Sequence, residues 1–354
     1  MKYDFTSIIE RHGKDSIAVE GIGNKVWGNE PDAPKEGFDP IPMWVADMNF
    51  ATCPTIPAAM IERAKHPLYG YFFPSDAYYN AIINWQTERH GFQDLTREYI
   101  GYENGVHGCV TSAVETLSAP GDKILLHSPT YVGFSADVEG LGRTSVYSPL
   151  KKDENGVWRM DYEDMDAKLK ENHIHLAIFC SPHNPAGRVW ERWELEKAME
   201  VFEANQCFVI SDEIWADITY TGHQHTPTLM VNDWAREHTV AVYAPSKTFN
   251  LAGLIGSYHI IYNKYLRDRV TAHGDNTHYN EMNVLSMHAL IGAYSDEGRE
   301  WVSELLQVLE GNCKYACDHI RQHYDGVDVS MPQGTYMLFL DLTDYCRRTG
   351  KTLD

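Results

Sequence analysis

Four short apolar runs, at 123–127, 176–180, 207–211 and 240–243, recur through the middle of the chain. Helical segments lie between several of them, notably at 193–204. Runs this short and this continuously apolar fit strands buried on both faces. Their alternation with helices implies a mostly parallel sheet, because parallel neighbours need a crossover long enough for a helix. Such sheets take ligands outside the carboxyl ends of their strands. Those ends carry Ser128-Pro129-Thr130-Tyr131, Ser181-Pro182-His183-Asn184-Pro185, Asp212-Glu213 and Ser246-Lys247. A functional site is expected there.

In the stretch Tyr243-Ala244-Pro245-Ser246-Lys247-Thr248-Phe249-Asn250, a buried strand ends at a loop presenting an amine. A lysine desolvated at such a place has a lowered pKa and can act as an imine-forming nucleophile. From this stretch alone, a solvated loop lysine fits equally well. Asp212, closing the apolar run Phe208-Val209-Ile210, is expensive to bury without a cationic partner, and a protonated pyridine nitrogen would be one. Asn184, between two prolines, can donate to a phenolate oxygen. The helix opening at 105–108 offers free backbone N–H groups to a phosphate, and Tyr131 can stack on a flat ring. A lysine, an acid, an amide donor, a phosphate cup and a stacking ring together describe a pyridoxal-phosphate site.

Composition narrows the surroundings. A length of 354 residues allows about two domains. The formal net charge of -20 argues against nucleic acids and anionic membrane surfaces as partners. There is no uncharged apolar run of about 18 residues, hence no expected membrane span. The first residues lack the apolar core of a signal peptide. Seven scattered cysteines, an odd number without zinc-site spacing, read as free thiols in a reducing cytoplasm. Further helices are expected after Pro57 and from 76 to about 90. Beyond about 275, helices rich in Leu, Ala and Glu lead to Pro332-Gln333-Gly334-Thr335-Tyr336 and a strand at 337–341. The Gly21-Ile22-Gly23 stretch reads as a loop.

These words, in this order, resemble fold-type I pyridoxal-phosphate enzymes, and within them the MalY/PatB-like cystathionine β-lyase group. The resemblance rests on Pro42-Met43-Trp44-Val45-Ala46-Asp47-Met48, Tyr69-Gly70-Tyr71, Ser128-Pro129-Thr130-Tyr131, Pro182-His183-Asn184-Pro185-Ala186-Gly187-Arg188-Val189-Trp190, Ser211-Asp212-Glu213-Ile214, the lysine stretch and Pro332-Gln333-Gly334-Thr335-Tyr336. It covers essentially the whole chain. It implies a large domain at 49–275 with a mostly parallel seven-stranded sheet between helices, and a small α/β C-terminal domain at 276–354. An N-terminal segment at 1–48 would pack on the small domain and the active site. Pyridoxal 5'-phosphate would be attached covalently at Lys247, with Asp212 against the pyridine nitrogen, Asn184 on the ring oxygen and Tyr131 on the ring face. The amides of Val106 and His107, with the Ser246 hydroxyl, would form the phosphate cup. Tyr69 of the neighbouring subunit would reach the phosphate, making a homodimer with shared active sites. Trp44, Val45 and Ala46 would close over the substrate. No metal ligand is expected, the pairs His173/His175 and His223/His225 reading as surface or loop histidines and Glu213 as structural.

The implied activity is β-elimination from cystathionine or a related cysteine S-conjugate, giving a thiol, pyruvate and ammonia. An aminotransferase is the near alternative, and a regulatory protein that binds a transcription factor is the alternative of another class. Some positions depart from the group's pattern. Asn49 replaces an aspartate, and Trp215 a tyrosine or histidine. Ala244 stands where many relatives have a hydroxyl, and Ile255 where aminotransferases carry a phosphate-binding arginine. The arginine that grips the substrate carboxylate is expected beyond Asp354, in a chain expected to be incomplete.

Overall fold

The computed structural model describes residues 1–352 apart from 26, 27 and 29. Its centre is a seven-stranded sheet made of β1 (Ile100–Glu103), β2 (Lys123–Ser128), β3 (Thr144–Pro149), β4 (Leu176–Cys180), β5 (Phe208–Asp212), β6 (Thr239–Tyr243) and β7 (Ser257–Ile260). The strand order is β1-β7-β6-β5-β4-β2-β3. Neighbours from β6 through β3 are parallel, and β7 runs antiparallel to both β1 and β6. The mostly parallel sheet expected from the strand–helix alternation is the one observed.

Period-two alternation along the strands builds two separate cores. Ile124, Leu126, Ile178, Ile210, Val240 and Val242 face the Gly105–Leu117 helix through Val106, Val110, Ala113 and Val114. Leu125, Ala177, Phe179 and Val209 point to the other face, where the Arg192–Ala204 helix supplies Leu195, Ala198, Met199 and Phe202. β4 and β6 are buried along their whole length, which is why they read as continuous apolar runs.

A third core joins the N-terminal helices to the 28-residue Asp296–His323 helix, whose buried Trp301, Leu305, Leu309, Cys313 and Cys317 recur every fourth residue on one face. Phe5 packs there between Phe50 and Trp301, with ring centroids at 5.3 and 5.5 Å. The backbone amides of Lys2 and Tyr3 donate to Glu304 of the same helix.

Three expectations are corrected. The strand expected at 337–341 forms only at Leu340–Asp341, paired with Asp328–Val329. The second expected helix is α-helical over Asp76–Trp85, then widens into a π turn at Gln86–His90 before Gly91. The helix expected after Pro57 begins at Thr55, placing Pro57 in the first turn, where no N–H is needed. All seven cysteines are free thiols. Among the described residues no helix is long and apolar enough to cross a membrane.

The loop after β4 is locked against the chain's C-terminal part. The Gly187 carbonyl accepts from the amides of Gln333 (2.8 Å) and Gly334 (3.2 Å), and Arg188 bonds both Gln333 and Glu194. Gly187 has φ +65°, and a Cβ there would fall 2.5 Å from Pro332 Cβ. Gly187→Ala is therefore expected to cost roughly 2–4 kcal/mol, from a left-handed non-glycine residue plus overpacking. At Gly222, with φ +86° and open space around it, the same change should cost only the conformational part, about 1–2 kcal/mol. Urea midpoints of the two variants check this, and equal losses would remove the contact from the account.

Candidate active site

Parallel register brings the strand ends to one edge of the sheet. Cys180 of β4 pairs with Asp212 of β5, which pairs with Val242 of β6. The chain leaving β4 returns the Ser181 amide to the Asp212 carbonyl at 2.9 Å, so the Asn184 loop starts beside Asp212. The chain leaving β6 at Tyr243 reaches Lys247 four residues on.

The Asp212 side chain is buried, and its one hydrogen bond among the described residues comes from the Ile214 amide at 3.0 Å. Burial pushes this carboxyl up to about 6, even though His107 and Lys247 pull the other way. Lys247 donates from Nζ to the Ala46 carbonyl at 3.0 Å and lies 5.8 Å from the Trp215 ring centre. Burial holds its pKa below the ordinary lysine value, against the charges of Asp212 and Asp47. The solvated loop lysine is excluded by that burial.

Asn184 is also buried, and its side-chain amide has no hydrogen-bond partner among the described residues. Tyr131 precedes the Val132–Gly140 helix, with its hydroxyl 3.0 Å from His107 Nε2. Burial raises its pKa, and the charge of Asp212 adds to the effect. His107 Nδ1 sits 2.6 Å from Asp137, which raises the imidazole's pKa. Gly133 makes this arrangement possible, because a Cβ there would fall 2.2 Å from the His107 ring and 2.5 Å from that of Tyr131.

Val106 and His107 lie in the first turn of the Gly105–Leu117 helix, so their amides lack intrahelical partners. No partner is supplied elsewhere among the described residues. The Ser246 hydroxyl is equally uncommitted among them, in a half-buried residue beside Lys247. Trp44, Val45 and Ala46 form a half-buried loop, pinned where Trp44 Nε1 donates to the Ala18 carbonyl at 3.0 Å.

Tyr69 is the expected residue that this chain does not bring into the cluster. Its hydroxyl donates to the Ala64 carbonyl at 3.1 Å, and Arg63 lies over its ring. It is 57% exposed, beside the fully exposed Tyr71 and Phe73. Of the pair His223/His225, His223 is an exposed loop histidine and His225 a buried loop histidine, 2.7 Å from Glu213. Asn49 still makes a polar contact, accepting from Arg11 at 2.6 Å. Glu103, Cys109 and His259 bring possible ligand atoms within 4.8 Å of one another. His259, however, uses Nδ1 on Glu103 at 2.6 Å, and its Nε2 lies against Gly101.

Sequence reasoning missed what stands behind the site. Asp217 receives the Thr248 hydroxyl at 3.1 Å and the Trp85 indole at 3.0 Å, and lies 2.8 Å from Arg89 and 2.9 Å from His90. Burial works against its ionisation, yet the His90 bond and the Arg89 charge hold it down at about 2. Arg11 was likewise unmarked. It binds Asp47 at 2.5 and 3.2 Å, across 36 residues of loop with no periodicity to reveal the pairing.

A buried carboxylate short of a cation, a desolvated amine, an unpartnered amide and a free helix N-terminus fit pyridoxal 5'-phosphate. The fold and this set of groups define a fold-type I, pyridoxal-phosphate-dependent enzyme. The chain belongs to the aminotransferase class I and II family, whose model matches residues 41–352. It is 34% identical over 307 residues to cystathionine beta-lyase PatB of Bacillus subtilis (strain 168), covering 87% of this chain and 79% of that one. Protein MalY of Escherichia coli (strain K12) is 30% identical over 347 residues, covering 96% and 84%. Among solved structures, the PLP-bound C-S lyase from Staphylococcus hominis superposes with a TM-score of 0.89 at 29% identity, covering 99% of this chain and 85% of that one. Cystalysin from Treponema denticola, solved with pyridoxal 5'-phosphate, gives 0.86 at 28% identity, covering 96% and 84%.

The raised Asp212 pKa has a stability consequence. Protonated Asp212 favours the cofactor-free fold below about pH 4, and that contribution is lost as pH rises toward 6. At pH 7 the buried charge costs about 2–3 kcal/mol. Cofactor-free Asp212→Asn is therefore expected to be about 2 kcal/mol more stable than the parent at pH 7, with a flatter profile between pH 4 and 6. Urea unfolding across that range checks it, and an unchanged or lower stability at pH 7 would contradict the burial argument.

Proposed function

We propose that this chain is a C–S β-lyase that cleaves cystathionine or a related cysteine S-conjugate to a thiol, pyruvate and ammonia. The observation that carries this reading is the desolvated Lys247 amine set near the buried Asp212 carboxylate. Relatives named as lyases support the choice among reactions that share these groups.

In this reading Lys247 would hold the cofactor covalently. Asp212 would keep the pyridine nitrogen protonated, and Asn184 would donate to the ring oxygen. Tyr131 would cover the ring. The Val106 and His107 amides and the Ser246 hydroxyl would hold the phosphate, joined by the partner subunit's Tyr69 in a homodimer. The exposed aromatic stretch at 69–73 supports that assembly. Trp44, Val45 and Ala46 close over the substrate and keep water out.

When bound, the cofactor supplies an electron sink for the pair left at the substrate's Cα. Lys247 Nζ, freed and uncharged, removes the Cα proton, which its lowered pKa favours at neutral pH. The Cβ–S bond breaks with its electron pair on sulfur, and a proton returned to sulfur releases the thiol. The 2-aminoacrylate left behind takes up water and falls to pyruvate and ammonia.

The segment at 1–48, the large domain at 49–275 and the small domain at 276–354 fit this arrangement. The bonds of Lys2 and Tyr3 to the Asp296–His323 helix, and of Arg11 to Asp47, support it. A cytoplasmic location fits seven free thiols.

The test is to mix purified, cofactor-loaded protein with cystathionine and quantify thiol and pyruvate together. Equal yields are expected, and Lys247→Ala should lose roughly 10²–10⁴-fold in turnover, the usual worth of a positioned general base. A keto acid formed only in step with amination of a second keto acid would replace the lyase by a transferase.

A further inference from the structure

The Ala46 carbonyl sits at the meeting point of two side chains from distant parts of the chain. It accepts from Lys247 Nζ at 3.0 Å and from the Tyr336 hydroxyl at 3.0 Å. A carbonyl oxygen has two lone pairs, so the two donors share it without competing. Tyr336 is held in turn by its edge-on contact with Trp215, at a centroid distance of 4.7 Å. Trp215 is the residue whose ring also lies near Lys247.

The segment carrying Ala46 is fastened on both sides. Upstream, Trp44 Nε1 is bonded to the Ala18 carbonyl. Downstream, Arg11 clamps Asp47 with two bonds and Asn49 with a third. Asn250, three residues after Lys247, closes a two-way bridge to Met48, accepting from its amide at 3.1 Å and donating to its carbonyl at 2.8 Å. The loop that closes over the substrate is thus tied to the loop bearing the lysine.

We propose that the Ala46 carbonyl, fixed by Tyr336 and by the Arg11 clamp, is the seat of the Lys247 amine whenever that amine is not joined to the cofactor. Arg11 and Tyr336 are then positioning residues for the proton carrier. An oxygen acceptor at 3.0 Å favours the charged, proton-bearing amine. The seat thereby offsets part of the desolvation that would otherwise keep Lys247 from holding the Cα proton. The other groups acting on Lys247 are Asp212 from β5, His107 from the Gly105–Leu117 helix and Asp47 from the loop itself. Arg11 neutralises the last of these. The proposal rests on Lys247 being the proton carrier of the proposed reaction, but it is read separately.

The experiment measures the pH dependence of acylation at Lys247 in cofactor-free protein. An amine-selective anhydride is the probe, and modification is followed by mass spectrometry of the peptide carrying Lys247. Variants Tyr336→Phe and Arg11→Lys are compared with the parent. Each removes one support, and Arg11→Lys keeps the charge while losing the two-pronged grip. Both are expected to lower the midpoint by half a unit or more, seen as about threefold faster acylation on the acid side of the profile. A merely structural role would leave the midpoint in place.

An unmoved midpoint in either variant, with circular dichroism showing the native fold, overturns the proposal. Should Arg11→Lys fail to fold, Asn49→Ala, which removes one exposed acceptor of the clamp, takes its place with the same criterion. Lyase turnover in loaded protein is scored independently. A moved midpoint without pyruvate formation keeps the seat and sinks the lyase reading, and the reverse result does the opposite.

Discussion

Everything at the carboxyl edge of the sheet is arranged around a carboxylate without enough hydrogen bonds. β5 is apolar through Ile210 and then delivers Asp212 into the gap between the Asn184 loop and the Lys247 loop. Ionised, that group wants several donors or a cation, and the described chain gives it one amide. The deficit has a direction, because it creates affinity for a positively charged ring nitrogen and nothing comparable for a neutral one. The same burial lowers the basicity of Lys247. One desolvated place therefore favours both a cationic heterocycle and an uncharged amine.

The contrast with the two other acids on this short segment shows that the deficit is particular to Asp212. Glu213, on the opposite side of the strand, takes bonds from Ser211 (3.0 Å), the Thr228 amide (3.0 Å) and the Tyr243 hydroxyl (2.7 Å), with His225 at 2.7 Å. Burial works against its ionisation, but His225 and these bonds hold it below the usual glutamate value. Asp217 is supplied as fully, with four partners of its own, and it uses one of its bonds to anchor Thr248. Glu213 and Asp217 are thus saturated by the fold and brace the strand end and the lysine loop. Three buried acids within six residues divide by counting their donors, with no appeal to position in a motif.

That division explains what could be read from the chain beforehand. The sheet was legible because buried parallel strands leave continuous apolar runs, and the site was legible because such strands put their chemistry just after those runs. Lys247, Asp212, Asn184 and Tyr131 all follow this rule. Asp217 and Arg11 do not, since their roles come from partners such as Trp85 and Asp47, which lie at unrelated places in the sequence. The strand at 337–341 was overestimated for a related reason. Its apolar residues Met337 and Leu338 pack on the third core without a neighbouring strand to pair with, so local pattern and tertiary partner disagree. The aromatic stretch at 69–73 shows the limit from the other side, because one chain leaves it facing solvent.

Ile255 stands where the resemblance places a phosphate-binding arginine of aminotransferases. It adopts φ +45° and ψ 65°, a left-handed conformation that a β-branched residue enters at a cost of about 1–3 kcal/mol. The turn is held by Tyr102, whose hydroxyl donates to the Ile255 carbonyl at 2.8 Å. An isoleucine at this place brings no charge to a phosphate. For a phosphate bound here the balance would fall on the helix at Gly105–Leu117, whose N-terminus carries about half a positive charge, and on neutral donors such as the Ser246 hydroxyl. His107 could add charge, and Asp137 does raise its pKa, but the same carboxylate largely cancels any charge the imidazole carries. A phosphate seated here would therefore be held mainly by oriented dipoles, while the ionisable groups Asp212, Lys247 and Asp47 act on one another at the lysine.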